Sequence, residues 1–99
     1  FDYSRLELEY AYKKSGKKNN TVISEREMVK LVFENNNPHD SNAIAVYAYN
    51  LKVGYIPSSD TSIVRRMVRP VVSLRLYYYN EKYRAEITIE YNGLKKEKK

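Results

Sequence analysis

The chain has 99 residues, with no cysteine, no tryptophan and eleven tyrosines. That length allows one domain around one core, burying roughly two-thirds of the surface its unfolded chain exposes, and it excludes a multidomain enzyme with its own cofactor module. The missing thiols exclude zinc-thiolate, disulfide and thiol-nucleophile chemistry, while eighteen Lys and Arg against twelve Asp and Glu leave a formal +6, which makes a polyanion the first partner to test.

Residues 1–21 carry five basic and three acidic groups, residues 22–93 nine and eight, and residues 94–99 four and one. Most of the excess therefore sits in a lysine loop (Lys13, Lys14, Lys17, Lys18) and a tail (Lys95, Lys96, Lys98, Lys99), where a solvated charge run is the ordinary reading. No stretch approaches the ~18 apolar residues of a membrane helix, and Phe1 opens no secretion pattern, so the chain reads as intracellular. A start at Phe1 rather than Met favours an excised domain. Asn19-Asn20-Thr21 matches a glycosylation sequon, a coincidence in an Asn-rich loop when no signal peptide precedes it. The abundance of Lys, Asn, Tyr and Ile hints at an AT-rich bacterial genome.

Period two dominates the pattern. From Arg5 to Lys13, alternation of Leu6, Leu8, Tyr10 and Tyr12 with Glu7, Glu9 and Ala11 predicts a strand. Gly16 and the polar residues from Lys14 to Asn20 then turn the chain. Met28 to Phe33 reads as a second strand with Val29, Leu31 and Phe33 on one side, and Val32 opposite implies burial on both faces. Glu34 to Asn42 is a polar loop. Ala43 to Tyr49, a turn at Asn50-Leu51-Lys52, and Val53 to Ile56 form a hairpin. Ile63, Val64, Met67 and Val68, behind N-caps at Ser58, Ser59 or Asp60, mark a short amphipathic helix that Pro70 stops. Val71 to Tyr79, a turn at Asn80-Glu81 and Tyr83 to Tyr91 close the chain, the last with Tyr83, Ala85, Ile87, Ile89 and Tyr91 inward. The expected fold is mainly β: a six-stranded OB-like or SH3-like barrel with one short helix over residues 1–93, followed by a disordered basic tail at 94–99.

Enzyme chemistry lacks its inventory. His39 is the one histidine, and it adjoins Asp40 instead of converging on it from another segment. Glycines at 16, 54 and 93 cannot build a dinucleotide or phosphate loop. The pairs Glu7/Glu9 and Glu86/Glu90 fall on solvated strand faces. The expectation is a noncatalytic protein without metal or cofactor.

The most informative stretch runs from Glu34 to Val46. Asn37 ahead of Pro38, with Asp40 and Asn42 close by, suits a turn built from side-chain-to-backbone hydrogen bonds. The same amides, carboxylate and histidine just ahead of a buried strand also suit a binding rim. Loop physics leaves both readings open.

Here the chain resembles a known family. Glu27-Met28-Val29-x-Leu31, Asn36-Asn37-Pro38-His39-Asp40-x-Asn42-Ala43-Ile44-x-Val46 and Val53-Gly54-Tyr55-Ile56-Pro57 are similar to the HIRAN domain. The resemblance implies a small OB-like module that binds single-stranded DNA and captures its 3′-hydroxyl end. It implies a setting of DNA repair or replication-fork processing, with a helicase or nuclease in the same pathway or chain. Carried onto this sequence, Asp40 would accept from the 3′-hydroxyl, His39 would fill the motif's aromatic position, and Asn36, Asn37 and Asn42 would shape the pocket. A carboxylate accepts a hydroxyl proton and repels a phosphate, so it suits a free end. The chain lacks the glycine–aromatic element of the family's first strand; Tyr10 and Tyr12 are the nearest rings, and their alternation with Leu6 and Leu8 assigns them to the core. A DNA-reading lysine of some relatives falls near Ser58.

Outside the motif, Arg65 and Arg69 are i, i+4 neighbours with Arg66 adjacent, so one short helix would offer three phosphate ligands. Tyr55 and Tyr78 are candidate base-stacking rings. The alternative to a nucleic-acid module is a protein-interaction barrel using a sheet edge or tyrosine patch. The expected location is the cytoplasm, beside the nucleoid, for a bacterial source, and the nucleus for a eukaryotic one.

Overall fold

The computed structural model describes residues 2–3, 5–16, 21–24 and 28–96, without the side chains of residues 2, 3, 5 and 21. Lys17, Lys18, Asn19, Asn20, Glu27, Lys98 and Lys99 lie outside the described residues. In chain order the elements are β1 (Asp2–Tyr3), α1 (Arg5–Lys14), β2 (Thr21–Ile23), β3 (Val29–Phe33), β4 (Ile44–Ala48), β5 (Leu51–Tyr55), α2 (Thr61–Arg66), β6 (Val71–Tyr79) and β7 (Lys82–Glu90). They form two antiparallel sheets, one ordered β1-β5-β4-β3 and the other β2-β6-β7.

The largest departure from the sequence reading is the segment expected as a first strand, which is the helix α1. Leu8 and Ala11 are fully buried and Tyr12 packs beside them, the i, i+3, i+4 spacing of a helix face, while Leu6 and Tyr10 stand 67% and 65% exposed. The segment is rich in Leu, Glu, Lys and Ala and holds no Val, Ile or Thr, so propensity opposed the alternation. Lys13 Nζ also meets Glu9 Oε1 at 3.1 Å, an i, i+4 pair available only in a helix. Tyr12 is thus a packing ring, as expected, and Tyr10 is a surface one. There are two helices and seven strands among the described residues, in place of one and six; β1 and β2 are too short to carry a periodic signal.

Backbone pairing does not close the two sheets into a barrel among the described residues. β3 and β6 instead face one another across a groove of about 390 Å³ lined by Val29, Leu31, Phe33, Pro70, Val71 and Val72. The helix α1 lies against β5 on one side and β6 and β7 on the other, so it fills the space between the sheets and supplies Leu8 to the core. Ile44, Val46, Val53, Leu74 and Leu76, all completely buried, complete that core. Each contributes about 1.5–3 kcal/mol relative to an exposed position.

β4 is an interior strand of its sheet, beside β5, and is buried along both faces at Ala45 and Val46. β3 is the edge, so Val32 is 40% exposed and not buried on both faces as expected. The two hairpin turns obey local chemistry. Tyr49-Asn50 (φ 51 and 65) and Asn80-Glu81 (φ 53 and 61) occupy the left-handed region at both central positions, the twist two-residue hairpins need. The first turn falls one residue before its expected place, because β5 begins pairing at Leu51. Tyr91, expected inward, lies beyond β7 and is 45% exposed.

α2 ends at Arg66, capped by Met67, whose backbone is extended, before Pro70 can act. Arg69 then takes φ 51, outside the right-handed helical region that the following proline disfavours, and turns the chain into β6. The stretch after α2 is stitched to the chain's end: Val68 N donates to Gly93 O at 2.8 Å and Lys95 N to Arg66 O at 2.7 Å. Leu94 and Lys95, assigned by sequence to the tail, are therefore joined to the domain.

Candidate nucleic-acid interface

The loop from Glu34 to Ala43 opens and closes on a single backbone bond, Glu34 N to Ala43 O at 2.9 Å. Inside it, Asn37 Oδ1 accepts from the amides of His39 (2.8 Å) and Asp40 (3.2 Å). Asp40 Oδ1 accepts from Asn42 N at 2.9 Å. These are the side-chain-to-backbone turns that Asn and Asp favour, with Pro38 restricting the residue before it. The loop reading and the site reading are therefore compatible, since Asp40 spends one oxygen on the turn. Its other oxygen has no hydrogen-bond donor among the described residues.

Behind the loop, Glu34 is the hub of a polar clasp. Lys52 Nζ lies 2.6 Å from its Oε2, and Asn37 Nδ2 and Tyr55 OH donate to its Oε1 at 3.0 and 2.9 Å. Lys52 Nζ also donates to Tyr55 OH at 3.1 Å and sits 5.2 Å from the ring centre. The hydrogen bond from Lys52 holds the Glu34 carboxyl below its ordinary range, with Asn37 and Tyr55 assisting against the cost of burial. The same contact, seconded by Tyr55, pushes the Lys52 ammonium above its ordinary value. Tyr55 is thereby fixed by its hydroxyl, leaving the ring as a wall.

A cavity of about 250 Å³ lies between loop and strand, lined by Asn37, His39, Asp40, Ala43, Tyr55, Ile56 and Ser58. An adjoining groove of about 460 Å³ runs past Phe33, Asn36, Asn37, Pro38, His39, Lys52 and Tyr55. Asn37, His39 and Tyr55 border both. Of the expected site residues, Asn36, Asn37, His39, Asp40, Tyr55 and Ser58 are thus brought together from the loop, β5 and the turn ahead of α2. Two rings and a carboxylate meet around a space with no Lys or Arg in its lining. Such a cavity receives a hydroxyl better than a phosphate.

Asn42 contributes backbone alone to the recorded contacts, and the arginines differ from expectation. Arg65 Nε donates to Asn42 O at 3.3 Å, its Nη2 to Asn35 Oδ1 at 3.1 Å and to Ser41 O at 3.5 Å, and its guanidinium covers the Phe33 ring at 4.7 Å. It bolts the loop to α2. Arg66 points to the opposite end, donating to Lys95 O at 2.9 Å, and Arg69 is beyond the helix and exposed. The three do not form one phosphate-binding face, because the consecutive Arg65 and Arg66 leave the helix about 100° apart and Arg69 lies beyond its end.

The sequence reading missed Glu34 and Lys52. They stand eighteen positions apart, and the pairing of β3 with β4 and of β4 with β5, the latter with its register shift at Val46/Tyr47, joins them. It also missed β1, which pairs with β5 so that Asp2 lies opposite Tyr55 and Tyr3 opposite Gly54. Among the described residues no group of three or more His, Cys, Asp and Glu could hold a metal, and no helix is long and apolar enough to cross a membrane.

A small, mainly β domain with a hydrogen-bonded Asn- and Asp-built loop beside an aromatic-walled cavity is the class of protein defined by these features. The HIRAN domain family model matches residues 4–93, and the chain belongs to that family, which is generally associated with DNA binding. Comparison with curated proteins and with solved structures gives no match.

Proposed function

We propose that this HIRAN domain is a noncatalytic module that binds single-stranded DNA and receives its 3′-hydroxyl end in the cavity between the loop and β5. The observation that carries the reading is the meeting of His39, Asp40 and Tyr55 around one space without a lining cation. The terminal sugar enters between the two rings, its hydroxyl donates to the second Asp40 oxygen, and the preceding nucleotides follow the groove past Asn36 and Lys52. A 3′-phosphate would face the carboxylate with nothing to neutralise it. Holding a free end without altering it suits a module that presents DNA to a helicase or nuclease in repair or fork processing.

Fluorescence anisotropy with a labelled oligonucleotide ending in a 3′-hydroxyl or a 3′-phosphate tests this. Asp40→Ala is expected to weaken binding of the hydroxyl end about tenfold or more, the scale of a hydrogen bond to a charged acceptor, and to strengthen binding of the phosphate end, since the repelling charge is gone. Asp40→Asn keeps the turn to Asn42 and separates loop shape from acceptor charge. Equal losses for both ends would remove end capture, and flat anisotropy of the unaltered domain at low salt would favour a protein-interaction module.

A further inference from the structure

The register of β6 and β7 sorts the tyrosine run Tyr77-Tyr78-Tyr79 onto two faces. Leu74 and Leu76 point into the core, which places Tyr78 on the inner side, where its ring meets Tyr83 at 4.9 Å. Tyr77 and Tyr79 are on the outer side. There the pairs Arg75↔Glu86, Tyr77↔Arg84 and Tyr79↔Lys82 put aromatic and basic side chains on one surface. Arg75 lies 4.5 Å from the Tyr77 ring centre and Arg84 5.8 Å from that of Tyr79. Arg84 Nε also donates to Tyr79 O at 3.2 Å, and Tyr79 remains 68% exposed. The face carries three cations, Arg75, Lys82 and Arg84, and two carboxylates, a net +1; Glu86 already meets Arg75 at 2.9 Å, and Glu90 lies at the base, opposite Val71 and far along the strand from Tyr79. The hairpin's remaining acid, Glu81, sits in the turn.

We infer that the outer face of the β6–β7 hairpin is a second nucleic-acid surface, on which unpaired bases of a single strand stack on Tyr77 and Tyr79 while Lys82 and Arg84 contact its phosphates. Rings interleaved with cations on an open strand face are the arrangement that tracks single strands without reading sequence. A protein partner would gain less from it, since the exposed aliphatic side chains of this face, Val22 beside Arg75 and Val71 at the base, lie away from the Tyr79–Lys82 end, where the charged groups are basic. The inference rests on the nucleic-acid reading of the loop and extends it: the loop selects an end, and the hairpin holds the body of the strand.

The test uses 3′-hydroxyl oligothymidylates of about 4 and about 16 nucleotides, spanning the site sizes of small β-folds. A Tyr77→Ala/Tyr79→Ala variant is expected to lose about tenfold or more in affinity for the longer strand and to bind the shorter one, seated at the loop, as before. Lys82→Gln/Arg84→Gln, which keeps both rings, is expected to lower the salt slope of the longer strand by about one per lost phosphate contact. Unchanged affinity for the longer strand, or equal loss for both, overturns the hairpin surface. If the unaltered domain binds the short strand and gains nothing from length, the hairpin assignment alone falls; if it binds neither, the loop reading falls with it.

Discussion

The Asn-rich loop and the tyrosine hairpin use overlapping residue types in opposite ways. In the loop the shape is held by side chains: Asn37 serves two amides and Glu34, Asp40 serves Asn42, and Arg65 is committed to Asn35, Ser41 and Asn42. In the hairpin the shape comes from nine cross-strand pairs, so the outer side chains are not needed to hold it. The two arginines differ in how far they are committed: Arg65 donates to two loop carbonyls and a side-chain amide oxygen and so ties the loop to α2, whereas Arg84 donates once, to Tyr79 O at the end of β6, within a hairpin that the ladder already holds.

That contrast can be tested by substitutions of decreasing effect. Asn37→Ala removes the acceptor of two loop amides and a donor to Glu34, and should destabilise the domain by about 1–3 kcal/mol, read as a lowered thermal midpoint together with lost binding of short 3′-hydroxyl strands. A melt matching the unaltered domain would mean that the loop's turns are held by Pro38 and the backbone alone.

Glu34→Gln should have a smaller effect of about 1 kcal/mol near neutral pH, because the pair with Lys52 is partly solvated. Its pH dependence is the sharper signature. Glu34 is held below the ordinary carboxylate value of 4.5, so its contribution is present above that pH and lost as pH falls through the depressed value. Lys52 is raised above 10.5, so its contribution is complete below that pH and disappears only at higher alkalinity. Thermal melts should accordingly show the clasp intact from about pH 5 to 10 and failing in acid, with the acid loss diminished in the variant. Identical acid profiles would show that the clasp is not what titrates.

Smallest of all, Tyr79→Ala should change stability by no more than about 0.5 kcal/mol, the scale of a surface substitution. A drop comparable with Asn37→Ala would make the ring a packing residue and erase the distinction between the two regions.

Much of the fold's local grammar was legible in the chain. The Asn80-Glu81 turn, the full extent of β6, the β4–β5 hairpin and the turn-forming role of Asn37, Pro38 and Asp40 depend on interactions within a few residues, which spacing and residue type reveal. Several site residues were legible too, because the motif loop and Tyr55 lie close in sequence across one hairpin. Legibility ended where two signals conflicted or where partners were remote. The segment Arg5–Lys14 carries both a period-two pattern and a helix-rich composition, and the gap between the sheets decided the matter by accepting Leu8 and Ala11 on one helical face.

By itself the sequence determined the β-rich class, the turns, the loop chemistry and the family. Only the tertiary structure decided that the sheets stand apart with a helix between them, that Arg65 fastens the loop, and that Glu34 meets Lys52 behind Tyr55. It also decided which tyrosines face outward. The physical reason is the same in each case: hydrogen-bond satisfaction and burial depend on what the rest of the chain brings alongside, and strand register, not local spacing, sets that.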